Sequence, residues 1–232
     1  MEIIKRVLMY NSLTNKICRV FLKLKRKREK VNEIFNEKCV GVTKKIYKVF
    51  ESNKINYFYD FGNLLGIIRE GHFLKHDSDI DLGIILNGGK TLKEIVSILK
   101  ENNFELVSYF EYRNKIRECN FLCDGITVDL FFYEEKDGFL HSFAYQIMPK
   151  VKYTEKNQKS VILRKMDEIE KFEYRNVEGV ELRIPSNYEK ILVQKYGEGW
   201  KIEDKNFCID KIEYEIMKDY AIKRFVKDGF NI

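Results

Sequence analysis

The sequence predicts a mixed α+β domain in which helices flank a small, largely antiparallel sheet. Three observations lead to this fold class. Apolar residues follow helical spacing through the first fifty positions. From residue 57 onward, short apolar or aromatic runs are separated by glycine-containing turns, which is typical of strands. Two capping-box motifs, at residues 91–94 and 186–189, open further helices between the strands.

Two helices are predicted within residues 1–54. One face of the first carries Leu13, Ile17, Val20, Phe21 and Leu24, with Lys16, Arg19 and Lys23 around it. The second carries Val31, Phe35, Cys39, Val42, Ile46 and Val49 at helical spacing. We expect residues 1–54 to form an N-terminal helical extension and residues 55–232 to form one main domain, because no Pro- or Ser-rich linker divides the chain.

The main domain is predicted to begin with a short aromatic strand at residues 57–61, which ends at Gly62 and leads into one or two helical turns at residues 63–70. Further strands are predicted at residues 80–86, 104–112, 116–122, 126–133 and 180–184. Asp124-Gly125 is a hairpin signal between two of these strands. The last predicted helix ends at Gly197, and residues 150–175 receive no assignment.

The net charge of +6 comes from one short segment. Residues 16–30 hold eight Lys or Arg and one Glu, so the rest of the chain has a net charge of −1. We therefore predict no nucleic-acid partner, which would require a broad cationic surface. Residues 13–30 are both basic and amphipathic. Such a segment either packs on the domain or makes peripheral contact with an anionic membrane, and both interpretations stay open.

The compartment is predicted from what the sequence lacks. No apolar run approaches the length of a membrane span, and no secretory signal is visible at the N-terminus. The five cysteines are an odd number without zinc-site spacing, which favours reduced thiols over a disulfide framework. We expect a cytoplasmic protein, located at the inner membrane face if residues 13–30 dock there.

Carboxylates are concentrated in the segment Asp77-Ser78-Asp79-Ile80-Asp81. Because side chains alternate along a strand, Asp79 and Asp81 share one face at the start of an apolar strand. Two adjacent carboxylates repel each other unless a cation or a shared proton compensates. Oxygen ligands at this spacing suit Mg²⁺ or Mn²⁺. The alternative interpretation is a polar loop that leads into a strand.

Asp129 is a lone charge within a later apolar strand, residues 126–133. A charge in that position is costly unless it is paired or binds a metal. If this strand lies beside residues 80–86, Asp129 completes a cluster of three carboxylates. The alternative is a strand with one solvated face, which Thr127 permits.

Other residues are candidates for binding phosphate or substrate. Gly62 ends a strand and opens a helix, so backbone N–H groups there can approach an anion, and Arg69 can add a bidentate contact. His76 precedes the acidic segment, and Arg117 alternates with Arg113 and Lys115 before the hairpin. A structural or solvated role is the alternative for each of them.

The order of these parts resembles the nucleotidyltransferase fold and, more closely, the LicD/fukutin family of phosphotransferases. That family has a Gly-Thr-Leu-Leu-Gly stretch, an Arg three residues on, a Phe, an Asp-rich segment and a later Asp-Leu-Phe strand. The matching positions here are residues 62–66, Arg69, Phe73, residues 77–81 and residues 129–131, followed by a Tyr-Gly…Trp run at residues 196–202. Asn63 replaces the family's Thr, which turns a hydroxyl contact to phosphate into an amide contact. Ser78 replaces its middle Asp.

The resemblance implies a metal-dependent transferase. Its expected reaction moves a phosphorylated alcohol of the phosphocholine, ribitol-phosphate or glycerol-phosphate type from a CDP-activated donor to a hydroxyl of a cell-surface glycan, with release of CMP. Teichoic acid, capsule and lipopolysaccharide are the expected acceptors. Mg²⁺ or Mn²⁺ would be held by Asp79 and Asp81, with Asp129 as a third ligand or as the base. The rival hypotheses are a transferase that moves an NMP from an NTP and releases pyrophosphate, and a binding module without activity.

Overall fold

The computed structural model describes residues 12–86, 89–148, 151–204 and 215–226, except for the side chains of residues 12–25, 27 and 28. The helices are α1 (Ser12–Ser52), α2 (Phe61–Arg69), α3 (Leu92–Glu101) and α4 (Tyr188–Tyr196), followed by a 3-10 turn at Glu198–Lys201. The strands are β1 (Tyr57–Tyr59), β2 (Asp79–Ile85), β3 (Glu105–Tyr112), β4 (Lys115–Cys123), β5 (Ile126–Lys136), β6 (Phe139–Gln146), β7 (Gln158–Asp167), β8 (Phe172–Val177), β9 (Val180–Pro185) and β10 (Glu215–Phe225).

The main sheet has eight strands in the order β1-β2-β5-β4-β3-β10-β7-β6. The eleven-residue strand β5 also pairs with β6 through its last residues, which closes six of the strands into a barrel. All its pairings are antiparallel except that of β2 with β5. The predicted α+β class and the antiparallel character are confirmed. The prediction of a small sheet flanked by helices is wrong. Three strands that the sequence did not predict, β6, β7 and β10, close the sheet into a barrel.

Helix α1 runs without a break where two helices were expected. No Gly or Pro lies between residues 24 and 31 to end a helix there, so the two apolar patterns share one backbone. Its second half is buried against the sheet through Phe35, Val42, Ile46 and Phe50. The side chains of the apolar stripe at residues 13–24 lie outside the described set. None of the helices in the described ranges is long and apolar enough to cross a membrane.

The predicted turns and helix caps are confirmed only in part. The capping box at Thr91 is present, and Asp124 and Gly125 both have the positive φ that a tight hairpin requires. The capping box at residues 186–189 is wrong. Asn187, rather than Ser186, is the N-cap of α4, and it makes no side-chain capping bond; its amide donates to the Glu168 carbonyl at 2.9 Å. Helix α4 ends at Gly197 as predicted.

Candidate functional site

The parallel pairing of β2 with β5 brings three carboxylates together. Asp81 lies opposite Asp129 in the register, and Asp79 shares the face of Asp81 because the two are two residues apart. One oxygen from each of Asp79, Asp81 and Asp129 lies within 4.8 Å of the others. We call these three residues the carboxylate trio. The apolar residues that alternate with them, such as Val128 and Leu130, are buried in the main core.

The carboxylate trio carries negative charge that the protein does not neutralise. Burial raises the pKa of Asp81 well above its usual value, and the charges of Asp79 and Asp129 raise it further. Burial also raises the pKa of Asp79, and it raises that of Asp129 to about 6. Among the described residues, no Lys, Arg or His forms an ion pair with any of the three.

A divalent cation fits this donor set. Carboxylate oxygens are the hard ligands that Mg²⁺ and Mn²⁺ prefer, and the trio leaves much of a six-ligand shell for substrate oxygens and water. A bound cation would also remove the mutual repulsion that raises the pKa of Asp81. The site is therefore suited to a reaction at a phosphate group.

A polar network on β3 and β4 orients Asp129. The amide of Asn120 donates to Asp129 Oδ1 at 2.9 Å and to Glu118 Oε1 at 2.8 Å, while its carbonyl accepts from Ser108 Oγ at 2.8 Å. Burial raises the pKa of Glu118 to about 8, and the charge of Asp129 adds to the rise. Sequence reasoning missed this network. The signal was available, since Glu118 and Asn120 are polar residues within a mostly apolar strand.

Asn63 holds the start of β2 rather than a substrate. Its amide donates to the Asp77 carboxylate and to the Asp79 carbonyl, both at 3.2 Å, and its Oδ1 accepts from the Asp81 N–H at 2.7 Å. Both amide protons are therefore used within the chain, and the side chain is buried. The predicted contact of the Asn63 amide with phosphate is corrected accordingly: the side chain positions Asp79 and Asp81.

The glycines of the 62–66 motif serve close packing. A Cβ on Gly66 would lie 2.7 Å from the His72 carbonyl oxygen and 2.9 Å from the Leu74 nitrogen, so only glycine lets α2 approach that backbone. A Cβ on Gly62 would lie 3.2 Å from Asp77 Oδ1. The backbone of Gly62 thus faces a carboxylate of the chain. Its predicted role in phosphate binding stays a prediction.

A second buried acid lies beside the trio and has its own cation. Asp60 is fully buried, and Lys195 of α4 contacts its two carboxylate oxygens at 2.7 and 2.9 Å. Tyr133 donates to the same carboxylate at 2.5 Å. Burial lowers the pKa of Lys195, and the charge of Asp60 opposes that shift. The N–H of Asp60 donates to the Asp81 carbonyl at 3.0 Å, which links this ion pair to the trio.

Arg69 lies at the end of α2 opposite to Gly62 and contacts other residues of the chain. It is the last residue of α2, about 12 Å along the helix from Phe61 at 1.5 Å per residue. Its Nε pairs with Glu70 at 2.8 Å, and its Nη1 lies 3.4 Å from the Trp200 carbonyl. The joint clamp of Arg69 and the Gly62 amides stays a prediction, although the two lie at opposite ends of the helix.

Arg117 and His76 have no ion pair with the trio among the described residues. Arg117 lies in β4 at a shift of the register with β3, and it pairs with Glu134 at 2.7 Å. Lys115 pairs with Glu134 and Arg113 with Asp219, and a phosphate-binding patch of these residues stays a prediction. His76 is exposed, and no hydrogen bond or ion pair among the described residues joins it to the trio.

The trio on the paired strands β2 and β5 defines a candidate metal site, and comparison with known sequences assigns the family. Residues 54–187 match the nucleotidyltransferase domain of LicD, FKTN and FKRP, so the chain belongs to the LicD/FKTN/FKRP family. The match includes the trio and ends before the residues 196–202 run.

One curated relative is an uncharacterized protein of Rickettsia typhi. It is 27% identical over 116 residues, which cover 50% of this chain and 35% of that protein. The chain thus spans about a third of the length of the relative that it matches.

Proposed function

We propose that the chain is a divalent-metal-dependent phosphotransferase. It moves a phosphorylated alcohol from a CDP-activated donor to a hydroxyl of a cell-surface glycan and releases CMP. The single observation that carries this proposal is the convergence of Asp79, Asp81 and Asp129 at the paired strands β2 and β5, in a chain of the LicD/FKTN/FKRP family. The donor alcohol is of the choline, ribitol or glycerol type, and the acceptor is teichoic acid, capsule or lipopolysaccharide.

The carboxylate trio supplies the ligands for Mg²⁺ or Mn²⁺. Once bound, such a cation offsets the negative charge of a diphosphate and of the departing CMP. Asp79 and Asp81 hold it from one strand, and Asn63 fixes both through the backbone of β2. Asn120 holds one oxygen of Asp129 and leaves the other for the cation or for a proton.

The proposed reaction is an in-line displacement. The acceptor hydroxyl oxygen forms a bond to the distal phosphorus of the donor diphosphate, and the bond from that phosphorus to the bridging oxygen breaks. CMP leaves with the bonding electrons. The hydroxyl proton goes to a carboxylate, for which Asp129 is the residue of choice if it is not a metal ligand. Positioning and charge stabilisation supply the remaining catalysis.

A second candidate function uses the same carboxylates. The family domain is described as a nucleotidyltransferase domain, which favours transfer of an NMP from an NTP to a small molecule or glycan. Attack would then fall on the α-phosphorus, and pyrophosphate would be the product. The two functions therefore differ in the released group.

We propose in addition that residues 13–30 make peripheral contact with the anionic inner face of the membrane, near a lipid-linked acceptor. The backbone is helical from Ser12, and the segment is strongly basic. Flotation with vesicles that contain or lack anionic lipid tests this contact. Equal partitioning of the full chain and of a chain without residues 1–30 would refute it.

Product analysis tests the reaction class. The full chain is incubated with Mg²⁺, glycan acceptors and either CDP-alcohols or NTPs, and CMP and pyrophosphate are separated. CMP release that depends on Asp81 supports the proposal. Asp137→Asn is the matched control, because Asp137 is a highly exposed carboxylate in the β5–β6 turn. Pyrophosphate from NTPs, with no CMP from any CDP-alcohol, would favour the second candidate.

A further inference from the structure

Two cations near the carboxylate trio have no carboxylate partner in the described ranges. They are Arg164 on β7 and Lys223 on β10. Other cations in the region are accounted for, since Lys195 pairs with Asp60 and Arg117 with Glu134. The charges of Arg164 and Lys223 are thus left for something other than the described side chains to neutralise.

Arg164 is held by ring stacking. Its guanidinium carbon lies 4.5 Å from the centroid of the Phe61 ring, and that ring lies 4.7 Å from the ring of Phe131. Phe131 follows Asp129 by two residues and therefore shares its face of β5. The Nε of Arg164 is buried without a hydrogen-bond partner among the described residues. A buried N–H without an acceptor is costly, and an anionic ligand would supply the acceptor.

Phe61 is itself fixed as the platform for this guanidinium. It has a φ of 46°, a left-handed conformation that is uncommon for an aromatic residue. The Asp60 carboxylate accepts from the Phe61 N–H at 2.8 Å, and Lys195 Nζ lies 4.0 Å from the ring centroid. The Asp60–Lys195 pair thereby sets the position of the ring on which Arg164 stacks.

Lys223 reaches the same region from the neighbouring strand β10. Its ammonium lies 4.9 Å from the centroid of the Phe110 ring. Its charge lowers the pKa of Asp129 and of Glu118, and the charge of Arg164 lowers that of Glu118 as well. Both cations therefore act electrostatically at the polar network that orients Asp129.

Charge balance indicates what these cations serve. Three ionised carboxylates and a doubly negative diphosphate exceed the charge of one divalent cation by three. An excess of that size in a partly desolvated site is unfavourable, and two cations reduce it to one. Guanidinium groups also match phosphate oxygens in a bidentate geometry.

We infer that Arg164 and Lys223 bind the phosphate oxygens of the diphosphate substrate, with Arg164 as the bidentate contact and the carboxylate trio holding the metal on the other side. This inference rests on the proposed function, which places a diphosphate in the site. It replaces Arg69 and Arg117, which pair elsewhere, as the phosphate-binding arginines.

Inorganic diphosphate is the probe, because it binds whichever nucleotide or alcohol the natural donor carries. Calorimetry on the full chain first measures Mn²⁺ affinity, then diphosphate affinity with Mn²⁺ bound. Arg164→Gln should weaken diphosphate binding roughly tenfold to a hundredfold, and Lys223→Gln about three- to tenfold. Mn²⁺ affinity without diphosphate should stay the same or rise in both, since each change removes a positive charge near the trio.

Two variants control for the loss of a stacked arginine and of a lysine. Arg183 stacks on Phe172 at 3.9 Å and also has a buried Nε without a partner, but its Nη2 donates to Asn56. Lys165 follows Arg164 on the opposite face of β7 and pairs with Glu215. Arg183→Gln and Lys165→Gln should leave both affinities unchanged.

Weaker diphosphate binding with unchanged or tighter Mn²⁺ binding would support the inference, because a folding defect would weaken both. Unchanged diphosphate affinity in Arg164→Gln, an equal loss in Arg183→Gln, or wild-type protein that binds Mn²⁺ but no diphosphate would overturn it. Arg164-dependent diphosphate binding without CMP release from any CDP-alcohol would refute the proposed donor and still support the phosphate site.

Discussion

Two acidic sites lie one backbone hydrogen bond apart, where the Asp60 N–H meets the Asp81 carbonyl. At Asp60 the protein supplies its own cation, Lys195, together with the Tyr133 hydroxyl. At the carboxylate trio, the described chain supplies no ion-pair partner, and the pKa of each member is raised. Neutralisation by a side chain produces a structural ion pair, whereas its absence leaves charge for an external cation.

The difference follows from where each acid sits. Asp60 caps α2 and is fully enclosed, so an uncompensated charge there would cost several kcal/mol. The trio is only partly buried at the start of two strands, where a metal and a substrate have access. A cation supplied by the chain at that place would compete with the metal.

The largest effect on activity is expected when one carboxylate of the trio is removed. Asp81→Asn should lower metal-dependent CMP release by on the order of a thousandfold or more, because a lost ligand removes several kcal/mol of charge stabilisation. Steady-state kinetics with a folding check by circular dichroism measure this. Asp137→Asn should keep wild-type rates. Full activity of Asp81→Asn, or of wild type in excess chelator, would contradict the proposed difference between the two acidic sites.

Removing the cation of the Asp60–Lys195 ion pair should lower the stability of the protein. Lys195→Met leaves Asp60 buried without a cation, so the free energy of unfolding should fall by about 3–5 kcal/mol. Adding Asp60→Asn to that variant should restore part of the loss. Chemical denaturation gives both values. The exposed pair of Lys201 with Glu189 is the reference, and Lys201→Met should cost at most about 1 kcal/mol. Equal costs for the two lysines would mean that Asp60 is not a special site.

Removing one charge of the carboxylate trio should instead raise the stability of the metal-free protein. The folded pKa of Asp129, about 6, lies above its ordinary value of 3.8, so the folded state holds the proton more tightly. Metal-free wild type therefore loses stability as pH rises from about 4 to 6, and the loss persists at higher pH. Asp129→Asn should then be more stable than wild type by roughly 1–3 kcal/mol at pH 8 and by little at pH 4.

Denaturation in the presence of a chelator, at several pH values, tests this sign. A variant that is less stable than wild type at pH 8 would show that Asp129 is already compensated within the chain.

The smallest effect is expected at Arg69. Its contacts are Glu70 and the Trp200 carbonyl, so Arg69→Lys should change the free energy of unfolding by about 0–1 kcal/mol and leave the kinetics within about threefold. A large loss of activity at unchanged stability would instead indicate that Arg69 binds phosphate.

The adjacency of Asp81 and Asp129 was predictable because local signals carried it. Each acid lies within an apolar strand, where a charge needs a partner, and pairing the two strands supplies it. The hairpin at Asp124-Gly125 was similarly predictable, because the turn needs residues that tolerate positive φ.

Other parts depend on contacts that no local pattern contains. Lys195 lies 135 residues from Asp60, and its helix gives no sign of that partner. Strand β7 buries Ser160, Val161 and Ile162 in succession, so its sequence lacks the alternation of apolar and polar residues that predicts a strand. The barrel closure at the end of β5 joins β6, whose alternation is equally weak. Such features require the tertiary pairing itself.

The central claim is that the carboxylate trio binds a cation from solution. Metal binding to the protein alone tests this claim most directly. Titration calorimetry with Mn²⁺, supported by thermal unfolding with Mg²⁺, is applied to wild type, Asp79→Asn, Asp81→Asn, Asp129→Asn and Asp137→Asn. The account predicts one saturable site in wild type and in Asp137→Asn, with a stabilisation of about 2.7 kcal/mol at a metal concentration of a hundred times Kd. Each trio variant should lose that stabilisation. Wild type that binds neither metal, or trio variants that bind it equally well, would contradict the claim.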